Sequence, residues 1–199
     1  MKRDEAKLDA LLRELRACTV CAAELPLGPR PVVRGHVSAR LMITSQAPGT
    51  RVHETGLSFN DRSGDVLRGW LGIDRETFYD ESRIAIVPMG FCYPGRDAKG
   101  GDLPPRPECA PLWHDRLLPH FRAVSLNLLV GSYAIDHYLK GRKKRTMTET
   151  VRAWRAYLPR YFPLPHPSWR NVLWMRQNPW FEAEVLPELR ARVRAALRG

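Results

Sequence analysis

Apolar runs alternate along this chain with segments of mixed polarity. Four short apolar runs predict buried strands, at residues 39–45, 83–89, 125–130 and 161–165. Apolar residues at helical spacing predict intervening helices, at residues 64–72, 107–121 and 132–139. This alternation predicts an α/β fold, a three-layer α/β/α sandwich with a four-stranded parallel sheet. Proline cannot donate to a strand ladder, so Pro163 and Pro165 suit only a sheet edge or a strand terminus.

Both ends of the chain show amphipathic patterns. Four leucines at helical spacing predict an amino-terminal helix over residues 4–16. A row of apolar residues flanked by arginines predicts a carboxyl-terminal helix over residues 181–198. A chain of 199 residues is long enough for one well-buried core. We therefore expect residues 1–199 to form a single domain.

The composition is strongly basic. Lysine and arginine number 32 against 21 acidic residues, a net charge of +11. That charge favours a polyanionic partner, nucleic acid first, although a basic enzyme or a membrane-surface protein has the same balance. Residues 140–145 are the densest basic cluster, and Lys143, Lys144 and Arg145 are candidates for phosphate contacts. A solvated charged surface is the ordinary alternative for such a cluster.

The sequence has no recognisable membrane or export segment. No stretch approaches the roughly 18 uninterrupted apolar residues of a membrane span, and the amino terminus lacks the apolar core of a signal peptide. The pattern predicts a cytoplasmic protein, and we expect a monomer without membrane partners.

The four cysteines are spaced as a close pair followed by two distant residues: Cys18, Cys21, Cys92 and Cys109. Cytosolic thiols are kept reduced, which argues against a disulfide scaffold. Four thiolates suit a four-iron cluster or tetrahedral zinc equally well by count. The alternative is that they are small buried apolar residues.

Two loop segments carry the most informative chemistry. Residues 45–49 follow the first predicted strand, and residues 166–168 follow the last. Loops at the carboxyl ends of parallel strands gather into one crevice, where ligands usually bind. Gln46 and His166 are therefore expected to face a common ligand.

These segments and the cysteines together resemble the uracil-DNA glycosylase superfamily, most closely its iron–sulfur-containing families four and five. The matching segments are residues 45–49 and 55–59 for the first motif of family four, 61–65 for the G-D-x-S-G of family five, and 166–168 for the superfamily's H-P-S. The order of the cysteines is also similar to that in both families. The resemblance runs from Cys18 to about Asn178.

The resemblance implies a monofunctional DNA glycosylase that starts base excision repair. Its reaction would be hydrolysis of the N-glycosidic bond of uracil, and of other deaminated bases such as hypoxanthine and xanthine, in DNA. It also implies a structural 4Fe-4S cluster on the four cysteines, with zinc as the alternative. Rival functions are a catalytically inactive nucleic-acid binder of the same fold and a zinc-dependent regulator.

Three positions depart from the family patterns. Ala47 stands where the first family has its catalytic aspartate, and Gly49 stands where that family has a tyrosine that blocks the methyl group of thymine. Pro88 replaces the uracil-reading asparagine of family four. We therefore expect a weaker preference for uracil and a catalytic carboxylate from another position.

Asp61 is the first candidate for that carboxylate, because the resemblance gives its family-five counterpart this task. Capping of the helix predicted near Ser63 is the alternative. Stabilising the departing base would fall to backbone amides after Gln46 and to a neutral imidazole at His166.

The remaining candidates would hold the substrate and the DNA. Phe59 can stack on an extruded base, although a core phenylalanine has the same pattern. The other candidates for the base pocket are Ala47, Gly49 and His53. Ser168, Trp169 and Arg170 follow the catalytic histidine and can fill the gap in the duplex or hold phosphates, or begin a helix.

Overall fold

The computed structural model describes residues 2–168 and 171–198. Its strands are β1 (Leu41–Thr44), β2 (Ile84–Ile86), β3 (Leu126–Val130) and β4 (Tyr161–Leu164). All neighbouring pairs run parallel, in the order β2-β1-β3-β4. The predicted four-stranded parallel sheet is confirmed. So is the edge position of β4, in which Pro163 lies opposite Leu129.

Helices surround this sheet. Their bounds are α1 (Lys2–Arg16), α2 (Thr50–Thr55), α3 (Arg62–Leu71), α4 (Arg75–Tyr79), α5 (Cys109–Leu117), α6 (Ser132–Tyr138), α7 (Met147–Arg152), α8 (Val172–Gln177) and α9 (Leu186–Arg198). A π-helical turn, Phe181–Val185, leads directly into α9, so the helical segment predicted for residues 181–198 is present. Short 3₁₀ turns lie at Ala22–Glu24, Leu118–His120 and Trp154–Tyr157.

The side chains of the strands alternate between the two faces of the sheet. On one face, Ile43, Leu128 and Phe162 pack in a cluster with apolar residues of α3, α4 and α9. On the other face, Met42 packs with α1 and α5, and Leu129 packs with α6. Strands buried on both faces are typical of parallel sheets. The three-layer α/β/α arrangement is confirmed.

Several helix predictions need correction. The helix predicted over residues 107–121 ends at Leu117 and continues as a 3₁₀ turn. The helix predicted from residue 64 begins earlier, at Arg62, because the Asp61 side chain caps it. Sequence reasoning did not find α2, α4, α7 and α8, which have five or six residues each, too few to show a helical period.

Gly64 allows the first turn of α3 to lie against Phe59. A Cβ at Gly64 would be 1.8 Å from the carbonyl oxygen of Phe59. We expect Gly64→Ala to lower the free energy of unfolding by about 1–3 kcal/mol, measured by urea denaturation, because backbone must move. Gly69→Ala on the same helix is the control: its Cβ would have no atom within 4 Å, so it should stabilise the protein by about 1 kcal/mol. Equal effects of the two changes would contradict this packing.

Candidate active site

A cavity of about 640 Å³ opens at the carboxyl ends of the strands. Segments that follow β1, β2 and β4 contribute Gln46, Pro88 and His166 to its wall. This is the crevice in which open α/β sheets bind ligands. The two loops expected to meet do line one cavity.

Seven of the residues singled out from the sequence line this cavity: Gln46, Ala47, Gly49, Phe59, Asp61, His166 and Ser168. They come from three separate stretches of the chain. The structure thus places the expected residues around a common space, which is the arrangement that a catalytic role requires.

His166 lies in the loop directly after β4. Its Cβ would be 3.5 Å from a Cβ built on Gly131, a glycine with φ of 89° after β3, so that position leaves room for the histidine. The His166 carbonyl accepts hydrogen bonds from the Ser168 amide, at 2.9 Å, and from the Asn171 side chain. Burial lowers the pKa of His166, while Asp61 and Asp102 oppose that effect. The imidazole is therefore neutral at neutral pH.

The position of Asp61 suits both roles that the sequence left open, helix capping and catalysis. Its Oδ1 accepts hydrogen bonds from the Gly64 amide, at 3.0 Å, and from Ser63 Oγ, at 2.5 Å, as the N-cap of α3. The residue also lines the cavity, and its charge reaches His166. Capping is shown by these contacts, and a catalytic role for Asp61 stays a prediction.

Gln46 is bonded to the protein through both its side chain and its backbone. Its side-chain Nε2 donates a hydrogen bond to the carbonyl of Leu103 at 3.0 Å, and its backbone carbonyl accepts one from the Gly90 amide at 2.9 Å. Gln46 therefore ties the loop after β1 to two other segments of the cavity wall. Ala47 and Gly49 beside it leave the cavity wide at that point.

Phe59 is mainly a core residue. Its ring is buried and meets Phe78 edge to face, with centroids 5.9 Å apart. Its φ of 55° is unusual for a residue with a side chain. Such strain clusters at functional sites when the surrounding structure maintains it. Here, two contacts maintain the backbone conformation of Phe59. Gly64 packs closely against it, and Arg68 donates a hydrogen bond to its carbonyl at 3.4 Å.

His53 lies on α2, next to Val52, which lines the cavity. His53 itself is not among the described residues that form the cavity wall, and its ring lies 6.1 Å from that of Tyr93. A contact between His53 and a bound base stays a prediction.

The other expected DNA contacts are distributed as follows. The basic cluster at residues 140–145 does not line the cavity in the described part of the chain. Within it, Lys143 pairs with Asp136 at 2.6 Å, Arg145 lies 3.9 Å from Glu149, and Lys144 is exposed. Trp169 and Arg170 lie outside the described residues. Phosphate binding by this cluster stays a prediction.

Sequence reasoning missed several residues of the site. Arg96 and Asp102, from the glycine-rich segment after β2, line the cavity. Met175 on α8, a few residues after Ser168, also lines it. Neither segment carries a motif or a clear period. The available signal was position alone, since both follow strands whose carboxyl ends face the crevice.

Pro88 stands where family four has its uracil-reading asparagine. The carbonyl of Pro88 accepts a hydrogen bond. Buried His114 makes a 2.9 Å hydrogen bond from Nε2 to that carbonyl, and its Nδ1 lies 2.7 Å from the hydroxyl of Tyr138. Nε2 must carry the proton, because a carbonyl only accepts. One of the two acceptor positions of the Pro88 carbonyl is thus occupied.

The buried histidine makes stability depend on pH. Burial lowers the pKa of His114 from 6.5 to about 4. Between these values the unfolded chain binds a proton that the folded chain excludes, so stability is complete above pH 6.5 and falls as the pH drops towards 4. From pH 7.5 to 5, His114 should remove about 2 kcal/mol from the free energy of unfolding. Urea denaturation should show a correspondingly smaller pH dependence for His114→Gln; an unchanged dependence would contradict this role.

The four cysteines meet at a second, small cavity. Cys18, Cys21, Cys92 and Cys109 all line it, and all are free thiols. They surround a space rather than one point: across residues 2–168 and 171–198, no three His, Cys, Asp or Glu side chains lie close enough to hold one metal ion. The fold thus brings four cysteines that are distant in sequence to one cavity, and a metal or cluster bound there stays a prediction.

Burial controls the charge of the thiols in this cavity. It is the main cause that raises the pKa of Cys92 and of Cys109 to about 11, and the neighbouring cysteines contribute in the same direction. Thiols of this kind ionise when a metal binds them. Arg106 lines the same cavity, and its buried Nε has no hydrogen-bond partner among the described residues.

Fold and cavity define an α/β protein with its site at the carboxyl edge of the sheet. The family model described as the Uracil DNA glycosylase superfamily matches residues 33–190. The match includes the whole sheet and the loops around the cavity. The chain therefore belongs to the uracil-DNA glycosylase superfamily, which supports a glycosylase-type function on DNA. None of the helices within the described residues is long and apolar enough to cross a membrane.

Proposed function

We propose that this protein hydrolyses the N-glycosidic bond of uracil, and of other deaminated bases such as hypoxanthine and xanthine, in DNA. The carrying observation is the cavity in which the loop after β1, Asp61 and His166 converge. A volume of about 640 Å³ lies within the usual range for small-ligand sites and can accept a purine as well as a pyrimidine.

The chemistry needs donors for a departing base. Breaking the bond leaves negative charge on the base and positive charge on the sugar, so pre-aimed donors lower the barrier. The imidazole of His166 is neutral, since burial lowers its pKa, and can donate one hydrogen bond to a base oxygen. Backbone amides after Gln46 are the second candidate donors.

A broad base preference is part of this proposal. Gly49 contributes no side chain, and a Cβ there would lie 3.8 Å from Asp102, an ordinary contact. The cavity therefore has room where a bulky residue would exclude larger or methylated bases. Pro88 has neither an N–H nor a polar side chain, so it can offer a base only the remaining acceptor position of its carbonyl.

The gap left by an extruded base needs a filler. Leu173 is an exposed apolar residue on α8, close in sequence to His166. Apolar side chains are commonly inserted between unstacked base pairs. We infer that Leu173 serves as this wedge, alongside the earlier candidates Trp169 and Arg170, and that the basic cluster at 140–145 holds phosphates.

The cysteine cavity is proposed to hold a structural 4Fe-4S cluster. Such a cluster takes one thiolate at each iron and so needs thiols around a volume, whereas zinc needs four sulfurs about 2.3 Å from one atom. The unpartnered Nε of Arg106 supplies a hydrogen bond of the kind that cluster sulfurs accept. The cluster would join the segment after α1 to the start of α5. A colourless protein with one zinc per chain would contradict this assignment.

Excision from synthetic duplexes tests the function. Each duplex carries one uracil, hypoxanthine or xanthine, or only ordinary bases, and alkali cleaves wherever an abasic site has formed. The proposal expects strand breaks at one or more of the deaminated bases and none in the ordinary duplex. Binding without any break would instead support the inactive nucleic-acid binder.

A further inference from the structure

A tight hairpin, residues 95–103, carries a carboxylate into the cavity wall. Arg96 and Asp102 face each other in an antiparallel bridge, and the Leu103 amide donates to the Gly95 carbonyl at 2.9 Å. Asp97 fixes the turn, because its Oδ1 accepts hydrogen bonds from two amides of the turn at 2.9 and 2.8 Å. The backbone position of Asp102 is thereby well determined.

Gln46 holds this hairpin against the loop after β1. Its Nε2 donates to the carbonyl of Leu103, the residue next to Asp102. As a result, Asp102 Oδ2 lies 3.8 Å from the position of a Cβ on Gly49. Asp102 therefore brings a carboxylate to the loop that contains Ala47. Ala47 lies two residues before Gly49, and its side chain carries no charge.

The charge of Asp102 faces the site. Asp102 lines the cavity, and its side chain is 49% exposed, so water can reach it. It also acts on His166, whose pKa it raises against the effect of burial. Its ion pair with Arg96 is long, 3.6 Å. In contrast, Oδ1 of Asp61 accepts hydrogen bonds from Ser63 and Gly64 at the start of α3.

We propose that Asp102 is a catalytic carboxylate of this site and acts on the water that adds to the sugar. This inference rests on the proposed function. The bond from the sugar C1′ to the base nitrogen breaks, and its electron pair leaves with the base. The water oxygen bonds to C1′, Asp102 takes one water proton, and that proton passes through solvent to the departed base. The products are an abasic site and the neutral base.

Asp102→Asn is the first test, in single-turnover excision from the best deaminated duplex. Loss of the proton acceptor should slow excision by roughly 10²-fold or more while DNA binding is retained. Glu188→Gln is the matched control, because Glu188 is also a carboxylate that pairs with an arginine. Its partner on α9 is Arg192, at 2.9 Å. That variant should react at the wild-type rate. Asp61→Asn is compared alongside, with a urea denaturation curve for each protein.

Chemical rescue separates catalysis from structure. Asp102→Gly opens a space beside Gly49, and added formate should restore part of its activity by supplying a carboxylate. Formate should not restore His166→Ala. A rate for Asp102→Asn close to wild type, or a slow Asp102→Gly that formate cannot rescue, would overturn the assignment of Asp102. A wild-type protein that excises no deaminated base would instead overturn the proposed function.

Discussion

Replacing His166 with alanine is expected to slow base excision by roughly 10²–10³-fold with little change in DNA affinity. The neutral imidazole lines the cavity and is the side-chain donor best placed for a departing base oxygen. Its effect belongs to the transition state, where the charge develops, so the loss should appear in the rate and not in binding. Single-turnover rates and gel-shift affinities measure the two quantities separately.

A surface histidine provides the matched control. His36 pairs with Glu5 at 3.1 Å, away from the cavity, and His36→Ala should keep the wild-type rate. Because burial lowers the pKa of His166, wild-type excision should hold its rate down to pH 6.5 and decline below it as the imidazole gains a proton. Equal rates for His166→Ala and wild type would show that the donor lies elsewhere.

Replacing any one of the four cysteines with alanine is expected to remove the visible absorbance and the bound iron. It should also lower the free energy of unfolding by about 4 kcal/mol or more, the size typical of a lost metal site. The reason is that all four thiols line one cavity between the segment after α1, the segment after β2 and the start of α5. Absorbance spectra, iron analysis and urea denaturation are the measurements.

The pattern across the four variants decides between a ligand role and a packing role. If the four cysteines are ligands of one cluster, all four variants should lose equal amounts of absorbance, iron and free energy of unfolding. This should hold even though Cys18 and Cys92 are partly exposed while Cys21 and Cys109 are buried. Buried apolar thiols should instead cost about 1 kcal/mol each, in proportion to burial. Met42→Leu, in the apolar cluster that also contains Cys109, is the control and should keep the absorbance.

The sheet was predictable because its strands are short, mostly apolar runs that are buried on both faces. Residues 41–44 and 126–130 are buried along their whole length, and their two polar side chains satisfy each other, since Thr44 donates a hydrogen bond to Asn127 at 3.1 Å. The short helices α2, α4 and α7 were not predictable, since they depend on local caps. Thr146, for example, starts α7 through a reciprocal capping box with Glu149.

The candidate site was predictable where it follows strands and hidden where it depends on loops. Gln46 and His166 directly follow β1 and β4, so their meeting could be expected from topology. Asp102 is brought to them by a glycine-rich hairpin whose path depends on the hydrogen bonds of Asp97 and Gln46. The position of His53 could not be predicted either, because it lies on the short helix α2, which has too few residues to show a helical period.

The mass of a single-lesion oligonucleotide before and after reaction tests the central claim most directly. Incubation of the wild-type protein with a duplex containing one deaminated base should convert the modified strand to its abasic form and release the free base, both seen by mass spectrometry. The same reaction with His166→Ala should leave most of the strand unconverted. A wild-type protein that binds the duplexes yet leaves uracil, hypoxanthine and xanthine strands all unchanged in mass would contradict the account.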